Sequence, residues 1–246
     1  MASLIEHRTR NLLRRFGVEV VPTRRRREAG LLSLHLSRLF AHLDITVVLD
    51  VGARHGEFGR QLRRNGYRGW IVSFEPVAEN REVLTRVARG DDKWRVLPVA
   101  LGTSDTTSRI NVARNTSLSS LRSASEYGQR DFGDVIETAR IEQVQVRRLD
   151  HLWDRVLAGI DAPRVYLKLR TQGWDLEVLT GTGEKLREVL ALQTEAAVQP
   201  TYDGMPTHLE TLRALEAAGF TVSGMFPVTF DPRLALVEYD CVAVRR

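Results

Sequence analysis

From residue 45 onward, short apolar runs alternate with segments whose apolar residues recur at helical spacing. Residues 45–51 (ITVVLDV) predict a buried strand, 57–65 a helix stopped by Gly66, 69–74 a second strand, 77–89 a helix and 95–100 a third strand. Residues 103–140 are polar and rich in Ser, Thr and Arg, and predict one strand plus a long loop. After them the pattern gives a strand over 144–149, a short helix over 152–158, a strand over 165–169 and a helix starting over 174–179. A strand over 189–194 and a helix over 207–218, closed by Gly219, come next. Segments 220–226 and 234–244 are spaced as a terminal hairpin. Strands separated by helices predict an α/β fold with a mostly parallel sheet covered on both faces.

The first 44 residues read as a helical extension preceding a domain over 45–246. Leu4, Ile5, Leu12, Leu13 and Phe16 stand at helical spacing among arginines, Pro22 interrupts the pattern, and Leu31, Leu32, Leu36, Leu39, Phe40 and Leu43 predict a second helix. Such a helix pair packs on its own domain or supplies the contact of a homodimer. No apolar run reaches the ~20 residues of a membrane span. The start lacks the apolar stretch of an export signal, so a cytoplasmic location is expected.

Composition changes this picture little: 43% hydrophobic and 27% charged residues are ordinary for a globular domain. The single cysteine, Cys241, excludes an internal disulfide framework and a cysteine-based zinc site. The net charge of +5 is carried by arginine, with only Lys93, Lys168 and Lys185 as lysines. Apart from Arg24–Arg27 the basic residues are dispersed and lack interleaved aromatics, so no nucleic-acid partner is expected.

Two motifs carry chemistry. In Val48-Leu49-Asp50-Val51-Gly52-Ala53-Arg54-His55-Gly56-Glu57-Phe58 a strand runs into a glycine turn and then a helix, at the strand edge where open α/β sheets bind ligands. Its spacing is Gly-x-x-x-Gly, not the Gly-x-Gly-x-x-Gly of dinucleotide sites. The second strand ends in Ser73-Phe74-Glu75-Pro76, which puts an acid about 20 residues past the turn, where a carboxylate accepts both hydroxyls of a ribose. Taken singly, each is equally an ordinary turn and an ordinary helix-start glutamate.

These residues, with VALG (99–102), RRLD (147–150), LKLRTQGWDLEVLTG (167–181) and TEAAVQPTYDGMPT (194–207), resemble the class I S-adenosylmethionine-dependent methyltransferases, specifically the FkbM family of O-methyltransferases. The resemblance implies a Rossmann-like, seven-stranded sheet with a C-terminal antiparallel hairpin, and methyl transfer to a hydroxyl of a sugar, oligosaccharide or glycosylated natural product. It implies that Gly52, Ala53, His55 and Phe58 surround the methionine side of the cofactor, and that Glu75 takes the ribose, Pro76 standing beside the adenine. Ala100 and Leu101 would line the adenine pocket, and Ser117 in the SLSS stretch would contact cofactor or acceptor.

One departure stands out. The family reads Lys-hydrophobic-Asp-x-Gln-Gly, whereas this chain reads Lys168-Leu169-Arg170-Thr171-Gln172-Gly173. An aspartate there could act as base or hold a divalent metal such as Mg2+; arginine can do neither, because it stays protonated. Arg170 therefore implies an inactive or weakened enzyme, a base supplied from elsewhere, or a protein that binds the adenosyl cofactor or a partner without catalysis. Glu195, His151 and His208 are the other acid–base candidates, and Glu195 with His151 the candidate metal ligands. Lys168 reads either as a site residue or as a buried, paired lysine, and Trp174 as a sugar-facing wall or as core.

Overall fold

The computed structural model describes residues 27–246. The first expected helix, around Leu4 to Phe16, lies outside the described residues. The second is α1 (Arg27–His42), with Leu36, Leu39 and Phe40 buried and Leu31 facing solvent.

The main sheet is formed by β1 (Val47–Val51), β2 (Trp70–Phe74), β3 (Trp94–Leu97), and four strands from the second half of the chain: β7 (Val165–Leu169), β8 (Val189–Ala197), β9 (Phe220–Phe230) and β10 (Leu236–Arg245). The strand order is β3-β2-β1-β7-β8-β10-β9, parallel through β8 and antiparallel across β8–β10–β9. This is the Rossmann-like methyltransferase architecture, with its closing hairpin. Every residue of β1 and β7 is buried, because helices cover both faces, which is why both read as mostly apolar runs, each broken once, by Asp50 and by Lys168. Side chains alternate between two cores. Val47, Leu49 and Val51 join Trp153, Val178 and Leu215 on one face, while Val48 joins Leu36, Leu62 and Leu84 on the other.

The remaining helices are α2 (Glu57–Arg64), α3 (Ala78–Ala88), α4 (Glu126–Phe132), α5 (Leu149–Leu157), α6 (Asp175–Thr182) and α7 (His208–Ala217). A second sheet, β4-β6-β5, is built from β4 (Ala100–Leu101), β5 (Thr106–Ala113) and β6 (Thr138–Arg147). The expected third strand over 95–100 is thus two pieces in two sheets. Pro98 separates them, having no N–H to give a ladder. The polar stretch 103–140 also hides α4, capped by Ser125, whose hydroxyl accepts the Gly128 amide at 3.1 Å.

Register aligns the functional edge. Val51 lies opposite Phe74 and Leu169, so Gly52, Glu75 and Arg170 follow the carboxyl ends of three adjacent strands.

Candidate functional site

At this edge β1 turns back on itself. Gly52 (φ 71°) is pressed against β7: a Cβ there would come within 2.0 Å of the Arg170 carbonyl oxygen, so only glycine fits. The Gly52 and Ala53 amides donate to the Phe74 carbonyl at 3.1 and 3.2 Å. Arg54, also left-handed (φ 48°), then aims its own amide at Glu75. The buried Asp50–Lys168 pair (2.9 Å) fixes the turn from below, with the Lys168 ammonium donating to the Gly52 carbonyl at 3.1 Å. Lys168 is the buried, paired lysine of the two readings, although it also borders the cavity.

Glu75 is buried. One oxygen accepts the Arg54 amide at 2.7 Å and the other the Val77 amide at 3.0 Å. Burial pushes its carboxyl above the usual range, and the Val77 and Arg54 amides, Asn80 and Lys168 pull against that rise. Oε2 keeps a lone pair for a further donor, and Oε1 is shared with a second, longer bond from the Asn80 amide at 3.5 Å, which a ligand hydroxyl could displace.

The opposite side of the edge is an ionic network. The Arg170 guanidinium lies 3.1 Å from Glu195 on β8 through Nε and 3.0 Å from Asp240 on β10 through Nη2. Glu195, then Asp240, hold it charged well above the ordinary arginine value. Burial pushes Glu195 upward, and the charge of Arg170 opposes this. The Gln172 amide donates to Glu195 at 2.8 Å, and the Tyr202 hydroxyl sits 3.0 Å from Gln172 and 2.8 Å from the Leu118 carbonyl. The network thus runs from the serine-rich segment to β10.

A cavity of about 390 Å³ joins the two sides. Gly52, Ala53, Phe58, Glu75, Pro76, Ala100, Leu101, Ser117 and Arg170, all expected from sequence, line it. Four expected residues do not. His55 is held by Asn80, a lining residue, 3.0 Å from its Nε2 and is not itself part of the lining. Glu195 is covered by Arg170 and Gln172. His151 is exposed on the first turn of α5, with Nδ1 2.9 Å from Asp105, because that helix starts at Leu149 and directs it to the second sheet. His208 opens α7 beside the Tyr239 ring. Trp174 packs against the core and is absent from the lining, which matches its core reading.

Sequence reading missed Asp240, Gln193, Phe226 and Arg54, all of which line the cavity. The acids Glu238 and Asp240, inside the otherwise apolar stretch Val237 to Ala243, were the available signal for Asp240. The expected metal ligands are also kept apart: Glu195 serves Arg170, and His151 serves Asp105. Among the described residues no group of three or more His, Cys, Asp or Glu side chains is placed to hold a metal. A guanidinium already stands between the Glu195 and Asp240 carboxylates, so a magnesium ion does not fit this edge.

No curated protein matches the chain. Among solved structures it is similar to magnesium protoporphyrin IX methyltransferase of Synechocystis PCC 6803 with bound SAM. The identity is 11% over 97% of this chain and 95% of that one, with TM-score 0.44. It is also similar to fibrillarin of Aeropyrum pernix in complex with S-adenosyl-L-methionine (11% identity, 81% of this chain, 66% of that one, TM-score 0.45). A third likeness is to 1,6-didemethyltoxoflavin-N1-methyltransferase of Burkholderia thailandensis (13%, 86%, 76%, TM-score 0.43). Residues 50–222, from the glycine turn to the closing hairpin, match the Methyltransferase FkbM domain, and the chain belongs to that family.

Proposed function

We propose that this protein is an S-adenosylmethionine-dependent O-methyltransferase whose acceptor is a small molecule bearing a hydroxyl, a sugar or glycosylated compound being the class that the family implies. The observation that carries the reading is Glu75, a buried carboxylate set by two backbone amides at the cavity wall beside a turn only glycine can make.

The residues present fit an adenosyl sulfonium. Glu75 would take the ribose hydroxyls, Val77, Ala100 and Leu101 would flank the adenine, and Gly52 and Ala53 would leave room for the methionine portion. Bound there, S-adenosylmethionine supplies a methyl group on a positively charged sulfur, a leaving group that needs no further activation. The protein's remaining task is to place an acceptor oxygen in line and remove its proton. Arg170 cannot take that proton. Its role is to donate to the acceptor and to hold Asp240, the carboxylate that borders the cavity on this side and would receive the proton.

A second reading, an adenosyl-binding protein that transfers nothing, is favoured by Arg170 standing at the strand end. Incubation with methyl-labelled S-adenosylmethionine and a panel of sugars, glycosides and RNA separates the two. Label in a hydroxyl compound supports transfer. Cofactor binding with no labelled product supports the second reading, and labelled RNA contradicts both.

A further inference from the structure

Under α1 lies a second cavity of about 310 Å³, within the ~300–1,000 Å³ range of small-molecule sites. Leu36, Phe40, Ile45 and Leu62 form its apolar floor, and Ser37 and Asn65 stand at its rim. It adjoins the first cavity: Leu32, Phe58 and Gln61 line both. None of the residues around the expected ribose and adenine positions (Glu75, Val77, Ala100, Leu101) borders it, so the junction lies away from the nucleoside end.

We propose that this annex binds an uncharged apolar or aromatic arm of the acceptor, whose hydroxyl stays at Arg170 and Asp240. The inference rests on the transfer reading above and extends it to the shape of the acceptor.

Charge separates the two spaces. The first cavity is bordered by Arg54, Glu57, Glu75, Lys168, Arg170 and Asp240. Among the described residues the annex has one charged lining residue, Arg68, whose Nη1 donates to the Arg63 and Tyr67 carbonyls at 3.2 Å each. Among the described residues a cationic ligand would find no counter-ion there and an anionic one only the exposed Arg68, so the desolvation of a charge would go largely uncompensated; an apolar ligand gains by leaving water. The walls are also tied together. Gln61 and Asn65 on either side of the α2 end donate to the Ser33 hydroxyl of α1. His35 anchors α1 to β9 through Ser223 at 2.9 Å and the Phe226 ring at 5.4 Å. Phe226 itself lines the first cavity, so α1 spans the annex and reaches the wall of the acceptor side.

The test uses the full chain saturated with S-adenosylhomocysteine and titrated with the neutral fluorescent probe N-phenyl-1-naphthylamine. Ser37→Trp and Ala41→Trp fill the annex from its rim, and neither position lines the first cavity. The expected result is simultaneous binding of probe and nucleoside, with probe affinity falling about tenfold in either variant and nucleoside affinity unchanged. Circular dichroism and Tm verify that both variants fold. Equal probe binding by folded variants and parent overturns the annex. So does one-for-one displacement of the probe by the nucleoside, which places it in the first cavity. Probe binding that appears only after removal of residues 1–26 overturns it too, by making that segment the occupant. Absence of nucleoside binding, with the probe response still sensitive to Ser37→Trp, counts against the transfer reading and supports the annex as a ligand site.

Discussion

The two sides of the cavity are built on different principles. On the β1–β2 side a single carboxylate, Glu75, is positioned by backbone amides, one from Val77 just after it and one from Arg54 in the turn after the neighbouring strand. On the β7–β8–β10 side a guanidinium is held by carboxylates from strands far apart in sequence, with Gln172 and Tyr202 behind them. Backbone amides are rigid and survive most substitutions. A side-chain ion network depends on each member, and removal of one leaves its partners buried and unpaired. The first side therefore resembles a fixed socket, and the second a set of interdependent parts.

Gly52→Val strikes the socket hardest. The new side chain would collide with the Arg170 carbonyl in a left-handed conformation, at a cost of about 3 kcal/mol or more. Chemical denaturation reads that loss, and nucleoside binding should vanish with it. Asp240→Asn tests the other side: the proposed proton acceptor goes while the fold stays, and kcat for methyl transfer should drop about 100-fold. An unchanged rate would remove Asp240 from the chemistry.

Arg170→Met probes interdependence rather than transfer. Stripped of its countercharge, Glu195 would rise still further in pKa. A buried acid whose folded pKa lies above its unfolded value binds more protons when folded, so stability falls as pH climbs through the interval between them. The variant should lose about 2 kcal/mol near pH 8, a figure kept below that of a fully buried pair because Arg170 retains 38% side-chain exposure. The deficit should shrink toward pH 5, and a pH-independent deficit would show that charge is not what Arg170 contributes. The smallest effect belongs to His151→Ala, which should leave transfer within about twofold because the ring meets Asp105 at the surface.

The same contrast decides what could be read from the sequence. The socket was legible because β1 and β2 are buried, mostly apolar runs, interrupted only by Asp50 and Ser73, that end directly in Gly52 and Glu75, so residue type and position travel together. β7 was legible for the same reason, and with it the oddity of Arg170. Its partner Asp240 was not, since an antiparallel strand near the end of the chain reaches this edge only through the order β8–β10–β9. Histidine candidates were drawn from motif neighbourhood, and one turn of helix sufficed to point His151 elsewhere. The second sheet was hidden by a two-residue strand after Pro98, too short to carry any periodicity.

Isothermal titration with S-adenosylhomocysteine, on the parent chain and on Glu75→Ala, tests the central assignment most directly. The parent should bind one nucleoside per chain, and the variant, which keeps the fold but offers the ribose no acceptor, should bind about 100-fold more weakly. Equal affinity in a folded Glu75→Ala chain, or no heat with the parent, would contradict the placement of the nucleoside at this edge.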